Sequence, residues 1–156
     1  MRFQTKNDLH LFRFDEATLL EAEYKENTVN LSIEAIIVKG NNPNNEECVD
    51  RFADISSMRF LNASVKSIVK EGYKYYDAND RLVEEKPDEE VPVLEYDSIF
   101  KRCKKVVFYD LIALQIAEGN REYQIGVDLS EEDTYWITIH CSDVIVEWER
   151  FMNRVM

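Results

Sequence analysis

The chain has 156 residues, 45% of them apolar, and 31 acidic against 19 basic side chains give a net charge of −12. This is the size of one domain with a real core, which argues against wholesale disorder. A surface this negative repels phosphate backbones and anionic headgroups, so nucleic-acid and membrane partners are disfavoured. Lys101, Arg102, Lys104 and Lys105 form the one basic cluster, and an acidic run precedes it.

Residues 1–10 lack an apolar core and carry Lys6 and Asp8, unlike a signal peptide. The apolar stretch 106–117 is too short to span a bilayer and is broken by Asp110 and Gln115. Cys48, Cys103 and Cys141 are odd in number and widely spaced, which reads as free thiols in a reducing compartment. The expectation is a single cytoplasmic domain spanning 1–156.

In chain order, strands are predicted over 9–14, 17–25 and 28–38. In the last, Val29, Leu31, Ile33, Ala35 and Ile37 alternate with Asn30, Ser32 and Glu34, the period of a half-buried strand. Glu26-Asn27 is the turn before it, and Gly40 to Asn45 is a loop. Residues 46–55 fit a helix with Asn45 as N-cap and Cys48, Val49, Phe52 and Ala53 on one side; a strand is the alternative. Residues 58–76 are strand-like with a bend near Asn62. A turn at 77–80 returns the chain as a short strand over 81–86.

Residues 84–97 hold seven acids, one Lys and two prolines, the composition of a solvated, mobile loop. One or two helical turns are expected over 98–105. Residues 106–117 form a strand with apolar residues on both faces. Phe108, Ile112, Leu114 and Ile116 point one way, and Val107, Tyr109, Leu111 and Ala113 the other. Gly119-Asn120 is a hairpin turn, residues 123–128 alternate, and 134–141 is the last strand. Val144, Ile145, Trp148, Phe151, Met152 and Val155 then form an amphipathic stripe at helical spacing.

Residues 135–143, followed by Glu147-Trp148-Glu149-Arg150-Phe151-Met152, resemble the end of a pleckstrin-homology-like domain. That family closes with a strand, a short turn and a helix whose Trp plugs the barrel. The same stretch also looks like uncharacterised small proteins of anaerobic Gram-positive bacteria. The resemblance implies a mainly β fold: an antiparallel barrel or sandwich of about seven to nine strands closed by a C-terminal helix. A lipocalin-like barrel is the alternative. The lipid-binding loop of pleckstrin-homology domains is basic. The corresponding loop here, Lys25-Glu26-Asn27 or Asp15-Glu16, is not, so lipid binding is not implied.

No catalytic, metal or cofactor motif stands out. His140 and Cys141 are strand neighbours and face opposite ways, which separates them as ligands; a buried Cys and a surface His are expected. Asp77 to Arg81 begins like a calcium loop, but Arg81 and Leu82 stand where a ligand and a glycine are needed. Glu89-Glu90 and Glu131-Glu132-Asp133 are adjacent acids in polar loops, where both partners stay solvated. Asp110, among apolar neighbours, reads as a residue at a bulge or strand end. Tyr73, Tyr75 and Tyr76, with Trp136 on an outward face beside Thr138 and His140, form an aromatic set of the kind that marks partner surfaces. Together with Val107, Tyr109 and Leu111 they make up the candidate interaction surface. The leading expectation is a non-enzymatic protein-interaction or self-association module, with a protein partner or a homodimer. A small-ligand-binding barrel of lipocalin type is second, an enzyme third.

Overall fold

The computed structural model describes residues 2–155. It is mainly β, with one α-helix and antiparallel sheets throughout. Among the described residues there are sixteen strands, more than the seven to nine expected, because turns and bulges cut the predicted strands into short pieces. They are β1 (Phe3–Lys6), β2 (Phe12–Arg13), β3 (Thr18–Lys25), β4 (Thr28–Glu34), β5 (Ile37–Val38), β6 (Arg51–Ala53), β7 (Ser56–Leu61) and β8 (Ser64–Lys70). There follow β9 (Tyr73–Tyr76), β10 (Leu82–Lys86), β11 (Glu89–Glu90), the helix α1 (Tyr96–Arg102), β12 (Val106–Ala117), β13 (Asn120–Asp128), β14 (Thr134–Cys141), β15 (Asp143–Trp148) and β16 (Phe151–Arg154).

Ten strands form one sheet in the order β1-β15-β7-β4-β3-β12-β13-β14-β8-β11. Four more make a second sheet, β16-β6-β5-β2, and β9-β10 stand apart as a hairpin. None of the sheets closes into a barrel. The large sheet is nevertheless curled: Phe60 of β7 meets Tyr123 of β13 with ring centroids 5.9 Å apart, although three strands separate them in the order. The arrangement is sandwich-like, with Leu31, Ile33, Met58, Phe60, Ile125, Ile137 and Ile139 fully buried between its layers.

The C-terminal segment is the largest correction. Residues 144–155 form no helix; they are β15 and β16. Trp148 does plug the core, fully buried, but from a strand, with Phe3, Phe12 and Phe151 around it at 5.5–5.8 Å. The apolar stripe also satisfies a period of two: Val144, Val146 and Trp148 are buried while Asp143, Ile145 and Glu147 are half-buried. β1 on one side and β7 on the other supply ladder partners for both edges of β15, and that decides the conformation.

Residues 46–55 are not a helix either. The side chain of Asn45 donates to the carbonyls of Val38, Lys39 and Val49 and accepts from the Glu47 N–H, folding the segment into a tight turn before β6. Residues 9–11 form a 3-10 turn, leaving only β2 of the strand expected over 9–14. The acidic segment 84–97 is more ordered than its composition suggests. It finishes β10, pairs Glu89 and Glu90 with Lys70 and Val69 of β8, and starts α1. The helical turns expected near 98–105 are α1, which buries Tyr96, Ile99 and Phe100 and sets Phe100 6.0 Å from Tyr24 of β3.

Among the described residues no helix is long and apolar enough to cross a membrane.

Candidate interaction surface

β12 is twelve residues long, but β3 pairs with it only at Val106 and Val107. The reason lies at the start of β3. Phe14 to Ala17 turns, closed by the Ala17 N–H on the Phe14 carbonyl, and carries the chain off toward β2. After the Phe108 N–H bonds the Ala17 carbonyl, β12 outruns its neighbour. α1 takes the place vacated beside β3, where the Lys105 N–H reaches the Leu20 carbonyl. On its other side β12 pairs with β13 along its whole length. Among the described residues no strand pairs with the second edge of β12 from Tyr109 to Ala117. At about 3.3 Å per residue this is an open edge of about 30 Å.

A bulge between Phe108 and Asp110 changes the faces expected for this strand. Phe108, Leu111 and Ala113 stand opposite the buried Val127, Ile125 and Tyr123, so they share one face: Phe108 is buried, while half-buried Leu111 and exposed Ala113 look into the cleft described below. Val107 stands opposite Asp128 and faces outward, 55% exposed. Leu111 therefore does not share a face with Val107, as the alternation predicted. Asp110 sits at the bulge, exposed, its carboxylate accepting from the Leu111 N–H. Beyond the bulge the edge is strongly apolar: Ile112, Leu114 and Ile116 are exposed, Ile116 at 64%.

Tyr109 is the extra residue of the bulge, and its ring meets Trp136 of β14 edge-on at 5.8 Å. Trp136 lies over Gly126 of β13, and its Nε1–H donates to Glu71 at 3.4 Å. His140 is on the same outward row of β14 and its Nε2 lies 2.6 Å from Asn120 Oδ1 at the β12-β13 turn. Thus Val107, Tyr109, Trp136 and His140 belong to one outward surface. Cys141, the next residue, is buried, and its thiol is pushed up to about 11 by burial. Cys103 behaves alike, whereas Cys48 is exposed rather than buried.

The tyrosines occupy the separate β9-β10 hairpin. The Tyr73 and Tyr75 rings meet tilted at 36° with centroids 4.8 Å apart, and Tyr76 is exposed. The Tyr73 hydroxyl donates to Glu84, which raises its pKa; a hydrogen bond to Glu132 does the same for Tyr75. Trp136 connects to this hairpin through Glu71, two residues before Tyr73, and its ring partner is Tyr109 rather than a member of the tyrosine set.

A cleft of about 420 Å³ opens beside the free edge. Leu9, Phe12 and Phe14 line one wall, Leu111, Ala113 and Ile116 the other, with Tyr123 among the lining residues. Arg13 is held at this cleft by Asp15 and Asp50, with its Nη1 donating to Asp50 at 2.7 Å. Both carboxyls are held below their usual values. For Asp15 the Arg13 guanidinium is the main cause; for Asp50 it is the Gly40 N–H, with Arg13 second. Sequence reasoning missed this wall because Leu9 to Phe14 read as a plain strand. It also left Ile112, Leu114 and Ile116 out of the surface, although their place on a strand apolar on both faces was the available signal.

No family model matches the chain, and no curated protein or solved structure matches it.

Proposed function

We propose that the protein is a non-enzymatic interaction module that associates with a second copy of itself by adding strands along the free edge of β12. The observation that carries this reading is the unpaired edge from Tyr109 to Ala117, apolar on both faces. Exposed edges are templates for pairing, and proteins usually blunt them with lysines, prolines or a covering segment. Here residues 111–117 hold no charged residue and no proline, in a chain otherwise dense in acids. Two copies at net −12 repel each other, and this uncharged strip is where they meet at least cost.

An antiparallel pair about a two-fold axis at Ala113 sets Ile112 against Leu114 of the partner subunit. It sets Asp110 against Ile116 of the partner subunit, so the only charges on the strand avoid each other. The added strand also supplies the missing ladder bonds and covers the mouth of the cleft.

The second reading, a small-ligand carrier, rests on that cleft. It is the weaker of the two because the interior is filled by Trp148, Tyr123, Phe60 and Phe108, and the cleft opens at the sheet edge rather than inside a barrel.

Sedimentation equilibrium at micromolar concentration tests the module. The wild type is expected to show a dimer mass, and Leu114→Lys with Ile116→Lys a folded monomer with unchanged circular dichroism. A monomer mass for the wild type across the concentration range refutes self-association.

A further inference from the structure

A second concavity, of about 440 Å³, lies on the seam between the two sheets and shares no lining residue with the cleft beside β12. β4 ends at Glu34, and Ala35 takes a positive φ of 65° as the chain leaves the large sheet for β5 of the small one. Asp54 and Ile55 make the opposite crossing, from β6 to β7. Both crossings line the concavity, and β16, at the edge of the small sheet, adds Met152 and Asn153. Most of the lining is apolar: Ala35, Phe52, Ala53, Ile55 and Met152. Ile55 and Met152 are each 54% exposed, so this concave surface is left in water with no side chain of its own to cover it.

The charges around it are unbalanced. Three acids, Glu16, Glu34 and Asp54, stand against one base, Arg150. Asp54 is spent within the chain. It accepts the Glu149 and Arg150 N–H groups at 3.2 Å and faces Arg150 Nε at 3.8 Å. Glu16 and Glu34 are exposed, and among the described residues neither carboxylate makes a hydrogen bond or an ion pair. The cations flanking the lining in sequence are taken elsewhere: Arg13 by Asp15 and Asp50, and Arg51 and Arg154 by Glu47.

We propose that this pocket binds a small apolar amine. The ammonium N–H groups donate to the free carboxylates of Glu16 and Glu34, and an aryl or branched alkyl body covers Phe52, Ile55 and Met152. The two halves need each other. Exposed carboxylates alone hold a cation weakly, because water and salt screen them, and the apolar lining alone does not choose between an amine and a neutral molecule. An anion is repelled by the unpaired acids and by the net charge of −12. The volume is that of a small-ligand cleft. The site stands whether or not the chain self-associates through β12.

Amide chemical shifts of the full chain, followed by NMR at low salt, test the site with phenethylamine, phenethyl alcohol and ethylamine as probes. Phenethylamine is expected to move the amides of Ala35, Ile55 and Asn153 in a saturable way. The alcohol, which keeps the ring and lacks the charge, should bind about fivefold more weakly, the worth of an exposed ion pair. Ethylamine, which lacks the ring, should scarcely move these amides. Glu16→Gln combined with Glu34→Gln should reduce the amine to the affinity of the alcohol, and both side chains are exposed, so the fold is kept. Ile55→Lys, which brings the chain's own ammonium to the pocket, should abolish binding. Glu118→Gln, in the β12-β13 turn, should bind as the wild type does. The proposal is overturned if the alcohol binds as well as the amine, if the shifts map to other residues, or if the double variant binds unchanged. It is also overturned if Ile55→Lys alters the sedimentation mass, which would make the pocket a contact between copies.

Discussion

The indole of Trp136 lies flat enough across Gly126 that a Cβ built on that glycine would stand 2.8 Å from the ring. The two residues are cross-strand partners on the outward face of β13 and β14. The absence of a side chain at 126 is what lets Trp136 cover the sheet and reach Tyr109 of β12. A sheet residue that reads as a weak point in the strand is thus the seat of its largest outward aromatic.

Gly126→Ala should therefore push the ring away and cost about 1–3 kcal/mol, the usual range for overpacking. Denaturant unfolding gives the loss, and a red shift of tryptophan emission reports the displaced indole. Trp148 stays buried and contributes no shift. Unchanged stability and emission would mean that the ring does not rest on Gly126.

Trp148→Ala removes the largest fully buried side chain, from among three phenylalanine rings. The expected loss is about 3–5 kcal/mol. Equilibrium unfolding in urea measures it, and a loss below about 1 kcal/mol would show that β15 is not part of the core.

Asp50 ties the loop after β5 to the edge of the cleft, accepting from the Gly40 N–H at 2.9 Å and from Arg13 at 2.7 Å. These bonds hold its carboxyl below the usual value of 3.8. A carboxyl lowered on folding stabilises the native state while it is ionised. Its contribution is complete above the ordinary carboxylate range and disappears as pH falls through the lowered native value. Asp50→Asn should cost about 1–2 kcal/mol at pH 7, the range of a charge-assisted hydrogen bond at a partly exposed site. The gap between variant and wild type should narrow below pH 4, and unfolding curves from pH 7 to pH 2 would trace it. A pH-independent gap would assign the effect to packing instead.

The thiols should separate cleanly. Burial lifts those of Cys103 and Cys141 to about 11, and Cys48 is exposed. At pH 8 an aromatic disulfide reagent should modify one thiol in the native chain and all three in denaturant. Rapid reaction of a second native thiol would place Cys103 or Cys141 at the surface.

Much of the β framework was legible in the chain. The alternation predicted over 28–38, which the structure keeps as far as Glu34 before Ala35 breaks it at a positive φ, the hairpin turn at Gly119, set one residue earlier than predicted, the return of 81–86 onto 73–76 and the helical turns near 98–105 all depend on neighbours close in sequence. Their signals are side-chain period and turn chemistry. The outward aromatic face proposed as an interaction surface was half legible. Trp136, His140, Val107 and Tyr109 do share an outward face, but a single bulge turns Leu111 inward, and a bulge leaves no mark in an apolar run.

Residues 144–155 show where local reasoning stops. Val144, Val146 and Trp148 serve a strand as well as Val144, Trp148 and Phe151 serve a helix, so the apolar pattern alone carries both periods. What selected the strand were ladder partners 145 and 86 residues away in the pairs Phe3–Trp148 and Arg59–Ile145, which only the folded chain brings together. The same holds for the free edge of β12. Composition set it apart as apolar on both faces, but it is unpaired because the turn at 14–17 delays the start of β3, and α1 fills the gap on one side only. The sequence by itself determined an acidic, mainly β chain whose hairpins and turns are written in adjacent residues. The tertiary structure decided which strand edges are left open, because pairing depends on partners that no local pattern specifies.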